Sequence, residues 1–189
     1  IYLVFYLLMA TIASYAVDRF NASTGIAGLV SGIFIFGILV GRLGAGHSIE
    51  DTGSKKVLVF GTLSYVITSA LYLSAINLPL LIIVRFLHGL AYGIASTATG
   101  TIVAQVIPAG RRGEGIGYYS MSQILATALG PFIGIVLSRY VDFKVIFIIT
   151  SLIATVGFGI SFIINEPARD IASHGQTKTI KRFRVSHFI

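Results

Sequence analysis

The sequence predicts an all-α polytopic membrane protein with six transmembrane helices, and three observations carry that prediction. Hydrophobic residues make up 55% of the 189-residue chain and charged residues only 11%, with a mean hydropathy of +0.88. A soluble domain of this size needs far more ionisable groups to cover its surface. Six apolar stretches follow one another, each near the ~20 residues that cross a hydrocarbon core of roughly 30 Å as helix. Runs such as 80–84 (Leu-Leu-Ile-Ile-Val) and 145–149 (Val-Ile-Phe-Ile-Ile) do not alternate, which argues against the strands of a transmembrane barrel.

Span one covers residues 1–17 and stops at the polar cluster Asp18-Arg19-Phe20-Asn21-Ala22-Ser23. It provides only about 25 Å of helix with no basic flank ahead of it, so it reads as a span missing its beginning. Asn21-Ala-Ser23 matches a glycosylation acceptor, but its place against the membrane makes it weak evidence. Span two runs from 24 to about 45 with small residues at four-residue spacing, Gly28/Gly32 and Gly37/Gly41/Ala45, a ladder that lets helix backbones approach closely in lipid. A loop at 46–56 leads to span three, 57–76, which closes on the turn Asn77-Leu78-Pro79. Span four extends from near Leu80 to about Ile107 and is broken by Pro108-Ala-Gly-Arg-Arg-Gly113-Glu114. Span five is 115–137; span six is 145–164, ended by Asn165-Glu166-Pro167. Residues 1–164 thus form one six-span bundle, and 165–189 form a polar, basic segment.

Lysine and arginine are distributed unevenly. One side collects Lys55, Lys56, Arg111, Arg112, Arg169, Lys178, Lys181, Arg182 and Arg184; the other has Arg19, Arg139 and Lys144. The richer side is expected to be cytoplasmic, with both chain ends facing inward. The net charge of +7 therefore belongs to membrane topology and not to nucleic-acid binding. Cysteine is absent, which excludes disulfides, thiolate metal sites and cysteine nucleophiles.

Three motifs carry the chemistry. The first is Gly46-x3-Glu50-Asp51-x-Gly53-x-Lys55-Lys56, whose glycines suit a sharp reversal and whose acids can cap a helix N-terminus. It resembles motif A of the major facilitator superfamily, with Asp51 standing where that family usually has Arg or Lys. The resemblance implies a cytoplasmic gating loop that latches two halves of a transporter. The second is Leu81-x3-Arg85-x2-His88-Gly89 in span four. Arginine inside a span costs roughly 2.5–3.5 kcal/mol on insertion scales, so it normally faces a cavity or a partner; the alternative is snorkelling to the nearby outer end. This segment is similar to motif B, with His88 where Gln is common, and the resemblance implies a role for Arg85 in proton coupling. His88, one turn on, is a second candidate. The third is Gly117-x8-Ala126-x3-Gly130-Pro131-x2-Gly134 in span five, where the proline bends the helix and the glycines allow close packing. It resembles motif C, which implies an exporter or antiporter, although Ala126 and Ile135 depart from the pattern.

No Asp or Glu lies in a span core, which leaves Asp18 as a candidate proton carrier and a solvated loop acid as its bland alternative. Tyr92 and Gln123 are candidates for lining a cavity, while most tyrosines here serve as interface anchors. Arg42 either pairs with Glu50 or Asp51 or snorkels.

By resemblance the chain is the N-terminal six-helix bundle of a twelve-span secondary transporter of a bacterial cell membrane, with 165–189 beginning the loop between bundles. Its implied partners are the lipid bilayer, a small-molecule substrate and a C-terminal six-helix half. The leading expectation is proton-coupled efflux of drugs or other small molecules. The alternatives are import or facilitated passage of a sugar or metabolite, and an inactive half-transporter. No phosphate-binding Gly-x4-Gly-Lys-Ser/Thr occurs, so no cofactor is expected and an ion gradient would supply the energy. Intramembrane protease signatures are also absent: Gly28-Leu-Val-Ser31-Gly32 lacks the spacing of a serine site, and no His-Glu-x2-His is present.

Overall fold

The structure, a computed structural model, describes residues 1–164, so 165–189 with their basic residues lie outside the described part. Six helices run in order: α1 Tyr2–Phe20, α2 Thr24–Thr52, α3 Ser54–Leu71, α4 Leu78–Val106, α5 Arg112–Tyr140 and α6 Phe143–Ile163. All six are long and apolar enough to cross a membrane. Helices α2 and α5 are six or seven residues longer than their predicted spans, because helical hydrogen bonding continues past the apolar stretch into polar residues; α1, α4 and α6 are within two residues of the predicted length, and α3 starts and stops earlier than the expected 57–76.

Local sequence sets the helix ends. Asn21, the one non-glycine residue at positive φ among the described residues, closes α1 in the left-handed conformation. Ser23 opens α2, its hydroxyl accepting from the Ile26 amide at 3.4 Å. The apparent glycosylation acceptor thus consists of two capping residues. Asn77 caps α4 by accepting from the Leu80 amide at 2.9 Å, with Pro79 in the first turn.

The 46–56 loop requires correction. Helix α2 runs without interruption to Thr52, so Gly46, Glu50 and Asp51 are helical and Gly53 alone makes the reversal, at φ 93° and ψ 152°. That conformation favours glycine. Glu50 and Asp51 therefore sit in the last turn of α2 instead of capping α3, whose first residue follows Gly53 directly.

Helix α4 is the axis of the bundle, packed against α2 on one side and α3 on the other, while α1 packs on α5 and α2, and α6 on α3. The α2–α4 contact is a reciprocal glycine seam. A methyl group on Gly37 would strike the Phe86 carbonyl, one on Gly41 the Leu90 carbonyl, and one on Gly89 the Phe34 carbonyl. Such backbone proximity is how helices associate where lipid removes the hydrophobic drive between them. A main core built around Leu8, Ile12, Phe34, Tyr65, Leu81 and Phe147 fills the bundle, and a smaller one around Ala45, Leu58 and Ala98 lies toward the end that carries Lys55 and Lys56.

Candidate functional site

Arg85 is wholly buried in the bundle. Its Nε donates to the Val30 carbonyl at 3.2 Å, its Nη1 donates to the Tyr72 hydroxyl at 3.3 Å, and its guanidinium lies 4.4 Å from the centre of the Phe34 ring. Nη2 has no hydrogen-bond partner. His88 is buried beside it, with Nδ1 3.0 Å from the Tyr72 hydroxyl and Nε2 3.1 Å from the Ser69 hydroxyl. The Tyr65 ring stacks on the imidazole at 4.3 Å between centroids. A cation, an imidazole and two hydroxyls thus form one polar cluster that ties α2, the end of α3 and α4 together. This overturns the snorkelling alternative for Arg85: the side chain turns into the bundle, where a carbonyl, a hydroxyl and a ring face offset part of its desolvation.

A second polar feature opens on the bundle surface nearer the Lys55/Lys56 end. Tyr2, Arg42, Ser96, Thr97, Gly100, Thr101 and Ala104 line a cavity of about 530 Å³. Tyr2 bonds the hydroxyl of Tyr119 on α5 at 2.7 Å and meets Tyr92 edge-on at 5.9 Å. The cavity wall therefore draws on α1, α2 and α4, with α5 at its rim. It is lined by hydroxyls and one guanidinium, and no carboxylate is among the lining residues.

The small residues of α5 have a packing role. Ala126, Gly130 and Gly134 are buried along one face. A methyl on Gly130 would come within 2.6 Å of Tyr6 Cβ, and one on Gly134 within 2.8 Å of the Leu7 carbonyl. They are the seam against α1, and Pro131 sits inside this continuous helix. Gly117 is not in that seam, since nothing lies within 4 Å of where its Cβ would be.

The family model described as the Major Facilitator Superfamily matches residues 1–188. The chain belongs to the major facilitator superfamily. A solved structure of the proton:xylose symporter XylE bound to 6-bromo-6-deoxy-D-glucose shares the fold with a TM-score of 0.75 at 16% identity, covering 87% of this chain and 42% of that one. A probable chloroplastic anion transporter of Arabidopsis thaliana is 30% identical over 118 residues, 60% of this chain and 23% of its own length. The galactose-proton symporter of Escherichia coli K12 is 31% identical over 107 residues, 57% of this chain and 23% of its own. A putative metabolite transport protein of Bacillus subtilis is 26% identical over 163 residues, 84% of this chain and 34% of its own. The chain spans less than half the length of each.

Within this major facilitator bundle the candidate residues fall into separate groups. Arg85 and His88 are brought together. Asp18 is exposed and lines a surface recess with Arg19, Asp142 and Lys144; no hydrogen bond or ion pair joins it to the Arg85 cluster. Tyr92 is only 3% exposed and lies beneath Tyr2 instead of on the cavity wall, and Gln123 does not line the cavity. In the motif A region Asp51 faces His47 at 3.6 Å within α2, Lys55 donates to the Phe162 carbonyl at 3.3 Å, and Ser54 donates to Gln105 at 3.2 Å. That region therefore links α2, α3, α4 and α6. Tyr72, Ser69, Tyr2, Thr97 and Thr101 escaped the sequence reading. The hydroxyl-rich run Ser96-Thr97-Ala98-Thr99-Gly100-Thr101 in span four is the signal that could have pointed to the last two.

Proposed function

We propose that this bundle is one half of a secondary transporter that carries a small polar solute, of the sugar or metabolite class, by alternating access with a second six-helix bundle. The observation that supports this most is the hydroxyl- and guanidinium-lined cavity within the length of the membrane helices. Polar side chains that line a cavity between apolar helices are costly against lipid and fit a solute path. The relatives, a probable anion transporter, a galactose-proton symporter and a putative metabolite transport protein, favour the same class. Arg85 and His88 take the coupling role in this proposal. The hydrogen bonds of their cluster reach three structural elements, so a change in its protonation or hydration bears on how those elements sit.

A second reading is export of a lipophilic drug, as the Gly130-Pro131-x2-Gly134 resemblance in α5 implies. The test is counterflow in proteoliposomes holding the full protein that carries these helices, with labelled galactose, phosphate, succinate and a lipophilic cation in turn. Saturable exchange of a polar solute is the expected result. Exchange of the lipophilic cation alone would replace this reading with the second.

A further inference from the structure

We propose that Arg42 and the hydroxyl face of α4 form a binding subsite for an oxyanion, the carboxylate or phosphate group of a transported solute. The proposal rests on the transporter reading above and adds the solute's charge. Helix α2 has 29 residues, and Arg42 lies inside its apolar stretch, 24–45, about 4.5 Å from that stretch's polar end and about 15 Å short of Thr52. Arg42 is exposed on the bundle and borders the cavity together with Ser96, Thr97 and Thr101. It makes no hydrogen bond or ion pair among the described residues. Of the two alternatives the sequence left open, pairing with Glu50 or Asp51 is not made: those acids lie about 12 Å or more farther along α2, and Asp51 faces His47. Glu114 is already held in a fork by Arg111, at 2.9 and 3.0 Å. A guanidinium within an apolar stretch, with no carboxylate among the residues that line the space in front of it, is an unanswered charge.

The chemistry around Arg42 selects the partner. Its planar fork matches the two oxygens of a carboxylate or phosphate. Thr97 and Thr101 now donate to the Gly93 and Thr97 carbonyls at 2.8 and 3.0 Å. Hydroxyl hydrogens rotate, so these groups can turn to a charged acceptor, whose hydrogen bonds are the stronger. The Tyr2–Tyr119 hydroxyl pair supplies further polar groups at the rim. A neutral sugar would leave the guanidinium without a counter-charge.

On the other side of Arg42 lies an apolar recess of about 560 Å³ lined by Gly32, Ile35, Phe36, Ile38 and Leu39. This makes a phospholipid phosphate the rival source of the same oxyanion. The test measures binding by the purified full protein, as thermal stabilisation with phosphate, succinate or galactose in detergent, and again in nanodiscs with or without phosphatidylglycerol. Phosphate or succinate should stabilise the protein and galactose should not. Arg42→Gln should weaken that response at least tenfold, Arg42→Lys should keep part of it, and Thr101→Val should weaken it moderately. No response to either soluble anion, an equal response in Arg42→Gln, or stabilisation by phosphatidylglycerol alone overturns the subsite. If the Gln variant does not fold, the Lys and Val variants decide on the same readout. Galactose counterflow undiminished by Arg42→Gln overturns the anion subsite and leaves the transporter reading standing. Arg42-dependent anion binding without any counterflow by the wild-type protein does the reverse.

Discussion

Tyr72 offers a single hydroxyl to two neighbours, Arg85 and His88, and the buried polar cluster depends on that sharing. Tyr72→Phe leaves the ring stacked on Phe147 but strips both hydrogen bonds at once. It should cost about 1–3 kcal/mol of stability, the usual range for leaving a buried polar partner unsatisfied. Denaturant unfolding of the purified protein measures it, and an unchanged midpoint would show that the hydroxyl is not shared. Arg85→Ala should abolish solute counterflow while the protein still inserts, read by membrane fractionation beside the transport assay. Undiminished transport by a well-inserted variant would retire Arg85 from coupling. Arg85 and His88 could be paired from sequence because they are three apart on one helix. Tyr72 and Ser69 could not, since no spacing rule links residues on different helices.

Among the elements, the α2–α4 seam makes the sharpest contrast. Gly89→Ala inserts a methyl into the Phe34 backbone and should destabilise by about 1–3 kcal/mol, the range for overpacking a tight contact. Gly28→Ala, where nothing lies within 4 Å, should be neutral. Equal melting temperatures for the two variants in detergent would mean that the helices are not that close. Gly53→Ala should also cost about 1–3 kcal/mol, because a side chain is strained at φ 93° whatever the space around it. The four-residue glycine ladder was visible in the sequence, but its partner was not. Two of the five ladder positions, Gly28 and Gly32, face no neighbour, whereas Gly37 and Gly41 meet α4. The 46–56 turn was misplaced for a related reason. Charged and polar residues at a helix end look like loop, yet α2 keeps its backbone bonded through Thr52, and a single glycine suffices to turn the chain.

At the scale of the molecule, the charge distribution predicts that Lys55 and Lys56 face the cytoplasm. The cysteine-free sequence makes that directly testable. Thr52→Cys should react with a membrane-impermeant maleimide only from the cytoplasmic side, and Asn21→Cys only from the opposite side; reversed labelling would invert the topology. Family membership, helix number and helical class were determined by the sequence alone, because lipid forces each apolar stretch of about 20 residues to satisfy its own backbone as helix. Only the tertiary structure decided which way Arg85 turns, which glycines touch a neighbour, and that Arg42 shares a cavity with Thr97 and Thr101. Those outcomes depend on the rotation and closeness of helices far apart in the chain, and hydropathy carries no information about either.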